Sequence, residues 1–100
     1  MMATLRIDLQ GGFDTDAVEI WIDEERRWRE DAVTTKFTLD LAASVPLEVP
    51  EGPVDVRVVL PERGIEQTVD ALAAGDTYIV GRVENDRLVL EQLARSPYYL

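Results

Sequence analysis

The sequence predicts an all-β fold, a single antiparallel β-sandwich of about seven to nine short strands that occupies residues 1–100 as one domain. Apolar and polar residues alternate with a period of two in short runs, which is the pattern of half-buried strands. Proline, glycine and acidic residues separate the runs at the spacing of turns in a sandwich. The composition, 46% hydrophobic and 30% charged residues in 100, is that of a globular domain.

The first four runs are separated by clear turn signals. They cover residues 4–10, 18–23, 27–29 and 36–41. Gly11-Gly12 ends the first run, because glycine readily forms a turn or bulge. The acidic turn 23–25 joins the second and third runs, which are predicted to form a hairpin. In the fourth run, Phe37, Leu39 and Leu41 alternate and are expected to point inward.

The remaining five runs follow at similar spacing. They cover residues 44–49, 54–60, 65–71, 77–83 and 87–93. Pro46 cannot donate a ladder hydrogen bond, so its strand is predicted at a sheet edge. Residues 87–95 are rich in helix-forming Leu, Glu, Gln and Ala, but the acidic turn 84–86 favours a hairpin and therefore a strand. The centre of the core is predicted at Ile7, Ile20, Leu39, Val56 and Val58.

Residues 44–83 carry a family resemblance. They contain PLEVPEGPVDVRVVLPERGIEQTV followed by AAGDTYIVGRV, with a Pro-x-Gly turn, an alternating strand and a second glycine turn. This resembles the PEGA and carboxypeptidase-regulatory, transthyretin-like modules. The chain has Arg63-Gly64 where those modules have an aromatic residue before glycine. The resemblance implies a small β-sandwich that serves as a non-catalytic accessory or surface-display module.

The composition excludes several kinds of chemistry. The chain has no histidine or cysteine, and its only serines are Ser44 and Ser96. Ser-His-Asp and Cys-His catalysis and histidine-containing metal sites are therefore impossible. We expect no enzyme and no cofactor.

Charge and hydropathy bound the partners and the location. The net charge of −10 repels nucleic acid and anionic membranes. The amino end lacks the apolar core of a signal peptide, and no stretch has the ~20 apolar residues of a membrane span. A cytoplasmic protein without membrane insertion is expected.

Asp14, Asp16 and Glu19 are the candidate metal ligands. They lie in and after one loop, and Ca²⁺ takes six to eight oxygen ligands, which sandwich loops can supply. The favoured interpretation is a solvated acidic turn, since acids dominate this surface. The alternative is a cation-binding or carbohydrate-binding module, with Trp21 as a further contact.

Trp21 and Trp28 form a possible aromatic pair. They lie on two strands of a predicted hairpin, where cross-strand neighbours interact. One interpretation is an exposed recognition pair. The favoured one is that one or both cap the core, or are covered by arginine through cation–π contact.

The last two strands are apolar on both faces. Tyr78, Val80, Val89 and Leu93 fall on the face that should be polar. Either the tail with Tyr98 and Tyr99 covers them or a second subunit does, because contiguous apolar surface usually marks an interface. The sequence therefore predicts a non-enzymatic interaction module that forms a homodimer or binds another protein.

Overall fold

The computed structural model describes residues 1–36 and 38–93, and it is an all-β structure. Its eight strands are β1 Met2–Leu9, β2 Asp16–Ile22, β3 Glu25–Val33, β4 Ala43–Pro50, β5 Gly52–Leu60, β6 Ile65–Ala73, β7 Asp76–Glu84 and β8 Arg87–Leu93. They form two four-stranded sheets in a sandwich-like arrangement. The first sheet has the order β4-β1-β7-β8, and the second has the order β3-β2-β5-β6. The part of the chain so described contains no helix that could cross a membrane.

The prediction of purely antiparallel sheets is wrong at one pair of strands. β1 and β7 run parallel, with Thr4 beside Asp76 and Leu9 beside Gly81. All other neighbouring strands are antiparallel. The first sheet is therefore mixed. Alternation in a sequence shows which residues share a face, but it carries no information on strand direction.

The core lies between the two sheets and confirms four of the five predicted central residues. Ile7, Ile20, Val56 and Val58 are each 0% exposed. Ile20, Val56 and Val58 alternate with more exposed neighbours along their strands, as expected for strands with one buried face, whereas Ile7 is followed by the buried Asp8.

Leu39 is the fifth residue, and its prediction is wrong because its side chain is 40% exposed. Residues 38–40 form a turn rather than a strand. An isolated bridge joins Lys36 to Leu41, and Asp40 has a left-handed φ of 50°. Phe37, also predicted inward, lies outside the described residues. The sequence of this short turn therefore has the same period-two alternation as a strand.

Two predictions about individual strands are confirmed. The strand with Pro46 is β4, an edge strand of the first sheet, where a missing N–H costs little. Residues 87–93 form β8, which pairs antiparallel with β7, whereas residues 94 and 95 lie outside the described part. The acidic turn therefore predicted the structure here better than helix propensity did.

Candidate interaction surfaces

The four apolar residues predicted on the second face of the last strands do lie away from the core. We call Tyr78, Val80, Val89 and Leu93 the outer strip. Ile79 is 0% exposed in the core, so its neighbours on β7 point outward. The register places Tyr78 opposite Leu93 and Val89 opposite Arg82. Tyr98 and Tyr99, the other two residues of the predicted surface, lie outside the described residues.

The members of the outer strip differ in exposure. Val80 is buried, with 4% of its surface exposed, whereas Tyr78, Val89 and Leu93 are half-buried. Accessible apolar area is therefore supplied by those three residues. A charge at Val80 would enter a buried position and destabilise the fold itself, so Val89 is the better position at which to probe this surface.

Polar groups border the outer strip on the side of β1. The Arg6 guanidinium carbon lies 5.1 Å from the centre of the Tyr78 ring, a cation–π contact. Arg6 Nη2 also donates to Asp8 Oδ2 at 3.3 Å, and Ser44 Oγ donates to Asp8 Oδ1 at 2.6 Å. Asp8 is 1% exposed and lies beside Val80 in the register. The buried Asp8 carboxylate thus accepts hydrogen bonds from charged Arg6 and neutral Ser44. These contacts fix Arg6 beside Tyr78 at the margin of the outer strip.

Asp16 is held by an arginine distant in sequence. Arg63 Nε and Nη2 donate to the two Asp16 oxygens, each at 2.8 Å, in a bidentate ion pair. The Asp14 backbone N–H also donates to Asp16 Oδ2 at 2.9 Å. Asp16 is 5% exposed, and the pair joins the start of β2 to the turn between β5 and β6.

The pKa of the Arg63 guanidinium is raised, mainly by its hydrogen bonds to Asp16, while burial acts in the opposite direction. Because the folded value is raised, its stabilising effect is complete below the ordinary arginine pKa. It is lost only as pH rises through the raised value. Alkaline conditions short of that range should leave this ion pair charged.

Replacing Asp16 with alanine is expected to lower the free energy of unfolding by about 2–3 kcal/mol, since it leaves the partly buried Arg63 without its main partner. The matched change is Asp14→Ala, because Asp14 is exposed and its carboxylate has only a 3.4 Å contact with Thr15 Oγ1. That variant should change stability by less than about 0.5 kcal/mol. Urea unfolding of both variants measures the difference, and equal losses would contradict the structural role of Asp16.

Glu19 has partners different from those of Asp16. Its Oε2 atom lies 2.9 Å from Arg29 Nη1 and 3.7 Å from Arg26 Nη1. Its Oε1 atom accepts a hydrogen bond from Trp21 Nε1 at 3.0 Å. The candidate ligands Asp14, Asp16 and Glu19 therefore do not share a centre. In residues 1–36 and 38–93, no group of three acidic side chains could hold a metal ion.

The two tryptophans lie on opposite faces of the second sheet. Trp28 stands opposite Ile20 in the register and packs against the core, whereas Trp21 stands opposite Arg26. Arg57 lies over the Trp21 ring at 4.9 Å from its centre. The structure therefore places Trp28 as a core cap and Trp21 under an arginine, and it does not bring the two rings together as a pair.

Arg57 and Arg63 hold Trp21 and Asp16 in place, but their roles were not predicted from the sequence. Arg57 occupies a polar position of the alternating strand β5, and Arg63 occupies a turn. Their partners Trp21 and Asp16 are distant in sequence, so no local pattern pairs them. The excess of arginine over lysine was the only sequence signal for these contacts, since the arginine guanidinium stacks on aromatic rings and binds carboxylates bidentately.

No family model matches the chain, and no curated protein or solved structure matches it either. The resemblance of residues 44–83 to PEGA and transthyretin-like modules therefore remains a prediction.

Proposed function

We propose that this protein is a non-enzymatic interaction module that self-associates through the outer face of its first sheet. The observation that carries the proposal is the outer strip, which puts tyrosine, valine and leucine side chains on the face turned away from the core. Aromatic and aliphatic residues at the centre of a surface are typical of protein interfaces. The resemblance to accessory modules supports the same class of function.

The charges around the outer strip suit contact with a second copy. The register places three cations and five anions on this face: Arg6, Arg82 and Arg87, and Asp8, Glu48, Asp76, Glu84 and Glu91. The whole chain has ten cations and twenty acids. This face therefore accounts for −2 of the net charge of −10, so two copies repel each other less through it than through the rest of their surface. A two-fold axis would let the same strip cover itself, as in most homodimers.

The alternative function, binding of a cation or a carbohydrate, has less support. Asp16 and Glu19 are both engaged by arginine, and one side of the Trp21 ring faces Arg57. Sugar rings commonly stack on open aromatic faces, and calcium requires several free oxygens. A shift in the melting temperature on adding Ca²⁺ would favour this alternative.

Sedimentation velocity at two protein concentrations tests self-association. The native chain should sediment as a dimer at micromolar concentrations, and the dimer should strengthen with salt because salt screens the net repulsion. Val89→Asp should produce a monomer, since it places a charge in the proposed interface. The matched control is Thr68→Asp, an exposed position on the outer face of the second sheet, and it should remain a dimer.

Two results would contradict the proposal. One is a native chain that stays monomeric at every concentration. The other is a chain that becomes a dimer only after residues 97–100 are deleted. That second result would mean that these residues are what normally excludes a second copy.

A further inference from the structure

Arg57 is held in place but has unused hydrogen-bonding capacity. Its guanidinium stacks over Trp21 at 4.9 Å, and Trp21 is itself fixed by its hydrogen bond to Glu19. Among the residues that the structure describes, the Arg57 side chain donates no hydrogen bond. An arginine has five N–H donors in a planar fork that matches a carboxylate. The stacking contact thus orients the unused N–H donors of Arg57. Because the side chain is already ordered, it loses less conformational entropy when an anion binds.

Two more arginines lie beside the same tryptophan. Arg26 stands opposite Trp21 and Arg29 stands opposite Glu19, both on β3. Their side chains are 50% and 45% exposed. Arg26 makes only a 3.7 Å contact with Glu19, which is too long for a good charge-assisted hydrogen bond. Arg29 is engaged further, because its Nε and Nη2 atoms also donate to Asp31 Oδ1 at 3.4 and 3.2 Å. The unused donors of this group are therefore mainly those of Arg26 and Arg57.

This concentration of cations is unusual for so acidic a chain. We call Arg26, Arg29, Arg57 and Trp21 the arginine patch, and it lies on the outer face of the second sheet. Three of the ten cations of the chain are collected there. Asp55 and Asp70, which stand opposite each other two residues along β5 and β6, limit the patch at one end. A ligand that fits must therefore be negatively charged and short.

We propose that the arginine patch binds the carboxylates of a short acidic segment of a partner protein. The patch extends across β3, β2 and β5, about 10 Å at the usual strand spacing, which is the reach of two or three extended residues. A carboxylate fits the planar fork of Arg57 bidentately. A long polyanion such as nucleic acid would meet the net charge of −10 outside the patch.

NMR titration with acetyl-tetraglutamate amide in low-salt buffer tests this inference. The Trp21 Nε1–H signal, identified by its loss in Trp21→Phe, should shift on binding, whereas the Trp28 signal should stay. Arg57→Ala should weaken binding at least about five-fold, and Arg57→Lys should weaken it less, because it keeps the charge and loses the fork. The matched control Arg87→Ala removes an exposed arginine from the first sheet and should bind as the native chain does.

Each arm of the titration can overturn the inference. It is wrong if Trp21 does not respond to millimolar peptide, or if Arg57→Ala binds the peptide normally. It is also wrong if inorganic phosphate shifts Trp21 as strongly as the peptide does at equal charge. Arg26→Ala repeats the test if Arg57→Ala proves unfolded. Because the patch and the outer strip lie on different sheets, Val89→Asp should bind the peptide unchanged, so failure here is separate from failure of self-association.

Discussion

Replacing Gly12 with alanine is expected to lower the free energy of unfolding by at least about 3 kcal/mol. Gly12 has a φ of +91°, which L side chains rarely adopt, and a Cβ there would overlap the Val83 carbonyl oxygen. That oxygen belongs to β7, and the adjacent Gly11 carbonyl accepts a hydrogen bond from the Val83 N–H at 2.9 Å. The backbone on both sides is therefore fixed and cannot move away. A domain of this size has a total stability of only about 5–15 kcal/mol.

Gly64→Ala is the matched control for this prediction. Gly64 also has a positive φ, +67°, but nothing lies within 4 Å of the added Cβ. Gly64→Ala should therefore lower the free energy of unfolding by only about 1 kcal/mol, the cost of placing alanine in the left-handed region. Chemical denaturation of both variants separates the two contributions. If Gly12→Ala costs no more than Gly64→Ala, the close approach of residue 12 to β7 is wrong.

Ile20→Ala is expected to cost about 3–4 kcal/mol, because its side chain is fully buried and truncation leaves a cavity between the sheets. Leu39→Ala removes as many carbon atoms from a side chain that is 40% exposed in a turn. That change should cost less than about 1 kcal/mol. The two substitutions therefore distinguish the structure from the sequence-based expectation, in which both residues are central.

Thermal unfolding followed by circular dichroism measures both variants. For about 100 residues, Ile20→Ala should lower the melting temperature by more than 10 °C, since each kcal/mol is worth roughly 4–8 °C. Leu39→Ala should stay within a few degrees of the native chain. A large loss at Leu39 would mean that residues 36–41 pack inward after all.

The faces of the strands were predictable from sequence, but their partners were not. The alternation in β5 identifies Val56 and Val58 as core residues because period two directly encodes the two faces of a strand. The parallel pairing of β1 with β7 has no such local code. In residues 36–41 the alternation itself was misleading, because three alternating apolar positions are too few to distinguish a strand from a turn. The left-handed φ of Asp40 belongs to the turn.

The candidate surfaces were predictable to a similar extent. Parity correctly placed Tyr78 and Val89 on the outer face, but it gave no sign that Val80 is buried there. The hairpin of the two tryptophans was also expected, yet a register shift between Ile20 and Trp21 sets Trp28 against the core. A bulge of this kind changes which face a residue occupies and leaves no mark in the alternation. The contacts of Trp21 with Arg57 depend on strand order, which sequence alone does not give.

The parallel pairing of β1 with β7 also bears on how quickly the chain can fold. Asp76 follows its partner Thr4 by 72 residues, and closing so long a loop costs entropy before any contact compensates for it. The second sheet uses strands from residues 16 to 73 and can pair before β7 exists on the ribosome. The apolar inner face of the second sheet then stays uncovered until β7 joins β1 and completes the first sheet. We therefore expect slow folding, in the millisecond-to-second range of high-contact-order β proteins. The net charge of −10 would help to keep the half-built sandwich soluble during that delay.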